Sequence, residues 1–176
     1  MSNKVWTIGH STHPIGTFLE MLRSFNIEIV ADVRRFPGSR RYPQFNVEPL
    51  RSSLAEAGIG HVHMEDLGGR RPPLPDSPND GWRMAQFRGY ADHMASPEFQ
   101  AAMHELEELA AEKRVAYMCS EAVWWRCHRS LMSDLLKSKG WDVQHIMAVN
   151  KSEEHPYTKP ARIVNGELVY SKASDR

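Results

Sequence analysis

The chain has 176 residues, enough for a fold that buries about 70% of the surface its unfolded form exposes, so it needs neither a disulfide nor a metal merely to fold. Lys plus Arg and Asp plus Glu each count 22, which excludes a uniformly basic nucleic-acid binder, yet Arg34, Arg35, Arg40 and Arg41 crowd into "RRFPGSRR" while "ELEELAAE" gathers acid elsewhere. No apolar run approaches the roughly 18 residues of a membrane span and the amino terminus lacks a signal-peptide core, so a cytoplasmic protein with reduced cysteines and no membrane contact is expected.

"VWTIGH" (5–10) is a short apolar run suited to a buried strand, and "PIGTFLEMLRSFN" spaces Ile15, Phe18, Leu19, Leu22 and Phe25 as a helix with Pro14 in its first turn. "EIVADVR" (28–34) is β-rich and ends in charge; "RFPGSRRYPQF" is a loop punctuated by Pro and Gly. "NVEPLRSSLAEAG" resumes a helical pattern, stopped by Gly58, and "IGHVHMEDLGG" reads as a third strand running into glycines. Four prolines and three glycines between 68 and 82 predict a long loop of the lid or binding kind. Two helices follow, "MAQFRGYADHM" and "PEFQAAMHELEELAAEK", then a strand "RVAYMCS", a helix "CHRSLMSDLLKSKG" closed by Gly140, and a strand "WDVQHIMAV". Asn165-Gly166 inside "ARIVNGELVY" signals a hairpin.

Strands alternating with helices predict an α/β fold: a mostly parallel sheet of about five strands with helices on both faces, plus a C-terminal β-hairpin, as a single domain over 1–176. Ligands of such sheets sit beyond the carboxyl ends of the strands. On these boundaries the ends carry His10 and Ser11, then Asp32 and Arg34, then Glu65, Asp66, Arg70 and Arg71, and finally Cys119, Ser120 and Glu121. Reactive side chains scattered in sequence therefore converge on one edge.

The stretches "TIGHS", "ADVRRFPGSRR", "GI" followed by "DLGGRR", "YADHM" and above all "MCSEAVWWRCHRSLM" resemble the bacterial and archaeal family catalogued as domain of unknown function 488. The resemblance covers residues 6 to 147, with 148–176 as a C-terminal extension. It implies a compact α/β domain and brings no settled activity.

Within "YMCSEAVWWRCHRS" three chemistries compete with plain packing. Cys127 precedes a helix, where free N–H groups and the helix dipole favour a thiolate, and Arg126, His128 and Arg129 reinforce that effect. Cys119, at a strand end, is either a second reactive thiol or a small buried residue. The Cys119 to Arg126 loop resembles in outline the cradles of cysteine phosphatases and sulfurtransferases. It holds six intervening residues where those have five, and two tryptophans fill it. A zinc bound by Cys119, Cys127, His128 and His10 is a weaker alternative, since a Cys-x2-Cys knuckle is absent and neighbouring helical residues point about 100° apart. Arginines at 34, 70 and 129 suit phosphate recognition through bidentate guanidinium geometry, with Trp124, Trp125 and Tyr42 as stacking surfaces; the competing assignment pairs them with Asp32, Glu65, Asp66 and Glu121. His61, His63 and His145 are read as strand or surface histidines without a role.

The reading is an enzyme, a hydrolase or group transferase, for a phosphate-bearing small molecule, nucleotide or nucleic acid. His10, Asp32 and Glu121 manage protons and Cys119 or Cys127 is the nucleophile. Ser11, Arg34, Arg70, His128 and Arg129 hold the anion, and no cofactor or metal is expected. The alternatives are a noncatalytic nucleic-acid or nucleotide-binding module and a thiol-based redox or sulfur-handling protein.

Overall fold

The computed structural model describes residues 3–172. A six-stranded sheet has the order β3-β2-β4-β1-β5-β6, built from β1 (Lys4–Gly9), β2 (Ile29–Asp32), β3 (Gly60–His63), β4 (Val115–Cys119), β5 (Asp142–Ala148) and β6 (Lys151–Glu154). The first five strands run parallel and β6 is antiparallel to β5. A separate hairpin, β7 (Arg162–Val164) and β8 (Glu167–Val169), turns at Asn165 and Gly166, both at positive φ. The sixth strand, "KSEE", is exposed along its whole length and carries no apolar alternation, so only its pairing with β5 marks it.

Strand alternation divides the core in two. On one face Trp6 and Ile8 of β1 and Ala116 and Met118 of β4 meet Phe18, Met21 and Leu22 of α1 (Ile15–Ser24) and Leu50 and Leu54 of α2 (Val47–Glu56). On the other, Val5, Val115, Tyr117 and Cys119 meet Phe87 and Tyr90 of α3 (Ala85–His93), Phe99, Met103 and Leu106 of α4 (Pro97–Glu112), and Leu131 and Met132 of α5 (Arg129–Ser138). Helix α4 starts on a Ser96 cap, whose hydroxyl accepts the Phe99 N–H, and has Pro97 in its first turn. Among the described residues no helix is long and apolar enough to cross a membrane.

The architecture opens at one seam. β1 and β4 are neighbours, but the chain leaves β1 through α1 on one face and leaves β4 through α5 on the other. The two departing segments open a crevice at the carboxyl edge, the place where open parallel sheets bind ligands.

Candidate active site

Beyond the last sheet residues the two strands stay together: His10 N–H donates to Cys119 O at 3.0 Å and Ser11 N–H to Ser120 O at 2.9 Å. The chain then folds the Glu121 carbonyl across Gly9 so closely that a Cβ at Gly9 would stand 1.6 Å from that oxygen. Only glycine admits this crossing. It brings Glu121 O to the guanidinium of Arg129, whose Nη2 donates to it at 2.8 Å.

Arg129 is 1% exposed and organises a thiol cluster on the α5 side of the seam. Its Nε donates to Cys119 Sγ at 2.9 Å, its Nη1 to Thr7 Oγ1 at 2.9 Å, and its backbone N–H to Cys127 Sγ at 3.5 Å. Among the described residues it forms no salt bridge. A buried guanidinium cannot shed its proton, and in place of a carboxylate it meets sulfur, a hydroxyl and a carbonyl, of which only sulfur can ionise. Burial pushes the Cys119 thiol well above its usual range, and its hydrogen bond to Cys127 adds to that. Burial also opposes ionisation of Cys127, but the hydrogen bond from Cys119 and the charge and amide of Arg129 outweigh it and bring Cys127 down to about 7. Although the Arg129 Nε contact is nearest to Cys119, Cys127 ionises first because more donors converge on it.

His128 completes this half. Val33 O can only accept, so the His128 hydrogen lies on Nε2, which donates to that carbonyl at 2.9 Å; Nδ1 is left with its lone pair 3.4 Å from Cys127 Sγ. Burial lowers the His128 pKa and keeps the ring neutral. The pair therefore has the geometry of a thiol and its proton acceptor, with a third group fixing the tautomer. Gly69 allows the ring its place, since a Cβ there would stand 3.0 Å from Nδ1.

The α1 side of the seam carries a second buried arginine. Arg34 binds Asp32 through two prongs, Nε to Oδ1 at 2.8 Å and Nη2 to Oδ2 at 2.7 Å, and gives Nη1 to Phe45 O at 2.7 Å. His61 Nε2 donates to Asp32 Oδ2 at 3.0 Å. Burial works against the Asp32 carboxylate, but these hydrogen bonds outweigh it and hold Asp32 at about 2. His10 stacks on Phe45, donates Nδ1–H to Ser11 O at 3.0 Å, and turns Nε2 toward Arg34 Nη1 at 3.4 Å. Burial first, then the Arg34 charge, lowers its pKa to about 4.

Between the two clusters lies a cleft of about 570 Å³. Cys119, Cys127, His128 and His10 form part of its lining together with Arg34, Arg35, Arg70 and Arg126; Glu121 is its one carboxylate. Among the described residues Arg35, Arg70 and Arg126 form no salt bridge, and the guanidiniums of Arg35 and Arg70 stand 5.2 and 5.6 Å from the exposed ring of Phe36. No group of three or more His, Cys, Asp or Glu among the described residues is placed to hold a metal ion.

The family model described as "Domain of unknown function DUF488" matches residues 14–136. The chain belongs to this DUF488 family. No curated protein and no solved structure matches it. The match leaves out the "TIGHS" stretch and β5, so the segment before residue 14 contributes His10 and Ser11 to the cleft lining and Thr7 to Arg129 from outside the matched region.

Of the residues singled out from the sequence, the DUF488 cleft brings together His10, Ser11, Arg34, Arg70, Cys119, Glu121, Cys127 and His128. Asp32 and Arg129 lie beneath it: Asp32 is fully buried against Arg34 and His61, and the Arg129 guanidinium is engaged by Thr7, Cys119 and Glu121 O. Arg34 keeps an atom at the cleft wall but is held mainly by Asp32. Thr7, Phe45, Phe36, the half-buried Arg35 and the exposed Arg126 were not singled out as ligand contacts. The pairing of Asp32 with Arg34 does carry a local signal, since residues two apart on extended chain share a side. The histidines left without a role are hydrogen-bonded to this machinery, His61 to Asp32, His63 to Arg34 O at 2.7 Å and His145 to Thr7.

Proposed function

We propose that the cleft is the active site of a thiol-dependent hydrolase or group transferase acting on a phosphate-bearing substrate such as a nucleotide or a nucleic-acid end. The observation that carries this reading is Cys127 Sγ, set between the His128 Nδ1 lone pair and the Arg129 N–H in a cleft whose charged lining is four arginines and one carboxylate. Arg70, Arg126 and Arg35 meet the anion at the mouth, and Phe36 offers a face for a base. His128 takes the proton of Cys127, and the thiolate attacks the electrophilic centre. A bond to sulfur forms as the bond to the leaving group breaks; that group departs with its electron pair and is protonated by the His128 imidazolium or by water. Water or an acceptor alcohol then displaces the thiol, and the proton returns through His128. With Cys127 ionising near 7, the rate rises as pH passes from 6 to 8.

The test is turnover by the full chain and by Cys127→Ser on p-nitrophenyl phosphate, nucleoside mono- and triphosphates and a short single-stranded oligonucleotide. Turnover of one class that falls by about 10³-fold or more in Cys127→Ser is expected, given the size of nucleophile losses. Turnover that survives the substitution removes Cys127 from the chemistry. Oligonucleotide binding that is steeply salt-dependent, without turnover, would make the cleft a binding module instead.

A further inference from the structure

Beneath the thiol cluster, buried polar side chains continue in a line away from Arg129, and the direction of every hydrogen in that line is fixed. Arg129 Nη1 donates to Thr7 Oγ1 at 2.9 Å. A hydroxyl that accepts from a guanidinium still has its own proton to give, and His145 Nδ1 lies 2.6 Å away. His145 must then carry its hydrogen on Nε2, which donates to His155 Nδ1 at 2.8 Å. By the same logic His155 donates Nε2–H to Asp134 Oδ1 at 2.8 Å. The line ends there, on a carboxylate that also accepts the Thr158 N–H at 2.9 Å, the Thr158 hydroxyl, and the Tyr170 hydroxyl at 2.7 Å.

Thr7, His145 and Asp134 are fully buried, and His155 is 1% exposed. Trp124 lies flat over His145, ring centres 4.6 Å apart and planes within 6°, with its indole N–H donated to Glu153 at 2.8 Å. The line therefore runs from a permanent cation through a hydroxyl and two imidazoles to a carboxylate. The direction is set from the far end, where the Asp134 carboxylate only accepts and so takes a hydrogen from His155 Nε2, leaving Nδ1 to accept from His145. Burial lowers the His145 pKa to about 2, in keeping with a neutral ring at that place.

We propose that this one-way chain positions the thiol cluster: Asp134, acting through His155, His145 and Thr7, holds the Arg129 guanidinium against Cys119 and Glu121 O, so that residues beyond the DUF488 match complete the site. The proposal rests on Cys127 being the reactive thiol, but it makes no use of the substrate. His155, Thr158 and Tyr170 come from the segment after α5, and their convergence on Asp134 ties that segment to the cleft floor. None of these groups lines the cleft, so they are positioning residues whose effect is exerted through the one guanidinium.

The test is the pH profile of Cys127 alkylation by iodoacetamide, resolved by mass spectrometry, on the full chain. Thr7→Val replaces the hydroxyl by a methyl of the same size, Thr7→Ser restores it, and Asp134→Asn removes the charge at the far end. The midpoint of alkylation is expected to rise by about one pH unit in Thr7→Val, about tenfold slower reaction at pH 6, and to return in Thr7→Ser. In Asp134→Asn it is expected to rise by a smaller step. A merely structural chain would lower the urea midpoint of unfolding in both variants and leave the alkylation midpoint unmoved, which overturns the proposal. A fall in Asp134→Asn, the effect of removing a remote negative charge, overturns it as well. Should one variant not fold, the other decides. An enzyme assay that finds no turnover bears on the proposed function alone, because this titration needs no substrate.

Discussion

Two arginines are buried at the same edge of the sheet, Arg34 on the α1 face and Arg129 on the α5 face, and they are neutralised in opposite ways. Arg34 has a carboxylate two residues away and binds it through two hydrogen bonds. Arg129 has no carboxylate in contact and reaches two sulfurs and two oxygens instead. A carboxylate near pH 7 is already charged and stays so, which makes the first cluster inert. A thiol is charged only on demand, so the second cluster converts the cost of a buried cation into a lowered thiol pKa. The same residue type is a brace on one side of the cleft and an activator on the other.

The sharpest way to break the comparison is to remove the anion on the quiet side. Asp32→Ala leaves Arg34 buried, permanently charged and without its partner, and also strands His61 Nε2. Loss of one member of a buried pair costs about 3–5 kcal/mol, read as the shift in urea unfolding. The alkylation midpoint of Cys127 is expected to stay where it is, since the two clusters lie on opposite faces of the sheet. A midpoint that moves as far as it does in an Arg129 variant would merge the two clusters into one.

Arg129→Met does the converse and is expected to cost less, about 2–3 kcal/mol, since it removes three side-chain hydrogen bonds where Asp32→Ala removes four. The groups it orphans are the Cys119 sulfur, a hydroxyl and a carbonyl, none left holding a permanent charge, and residue 129 keeps its backbone N–H to Cys127. The stranded Arg34 in Asp32→Ala does hold one. The Cys127 midpoint is expected to climb by more than one pH unit, toward ordinary thiol values. The order of the two stability losses, carboxylate before guanidinium, is therefore the measurement that distinguishes a brace from an activator; the reverse order contradicts the distinction.

Much of the edge could be read from spacing alone. The alternation of strand and helix places His10, Asp32 and Cys119 at carboxyl ends, and Cys127 just ahead of Arg129–Ser138. What spacing does not carry is who touches whom across the seam. Arg129 looks like an anion clamp in "CHRS", yet its partners Thr7 and Glu121 O come from segments 122 and 8 residues away, and nothing local orients its guanidinium inward. Gly9 looks like an ordinary strand end until the Glu121 carbonyl is seen lying on it. The β6 strand escapes for a different reason: an exposed edge strand needs no apolar face, and its charged residues suit an edge that should not pair further.

The smallest of the expected effects concerns the neutral histidines, one on each side. His10 borders Arg34 and titrates near 4 in the fold; His145 borders Thr7 and Arg129 and titrates near 2. Both values are depressed below the ordinary 6.5, so below 6.5 the unfolded chain takes up protons that the folded chain refuses. Their contribution to stability is thus complete above about 6.5 and is lost as pH falls toward the folded values, while Asp32, held near 2, adds its own loss only below about 3.8. From pH 6.5 to 4.5 the wild-type protein is expected to lose about 1–2 kcal/mol per histidine, measured by urea unfolding at each pH. His10→Gln removes one of these titrations and keeps an amide near Arg34, so the slope in that window should fall, while the lowered His145, His128 and His93 keep the rest of it. If it does not change, the acid lability belongs to the Arg129 side alone, and the chain that ends on Asp134 is the more pH-sensitive half of the site.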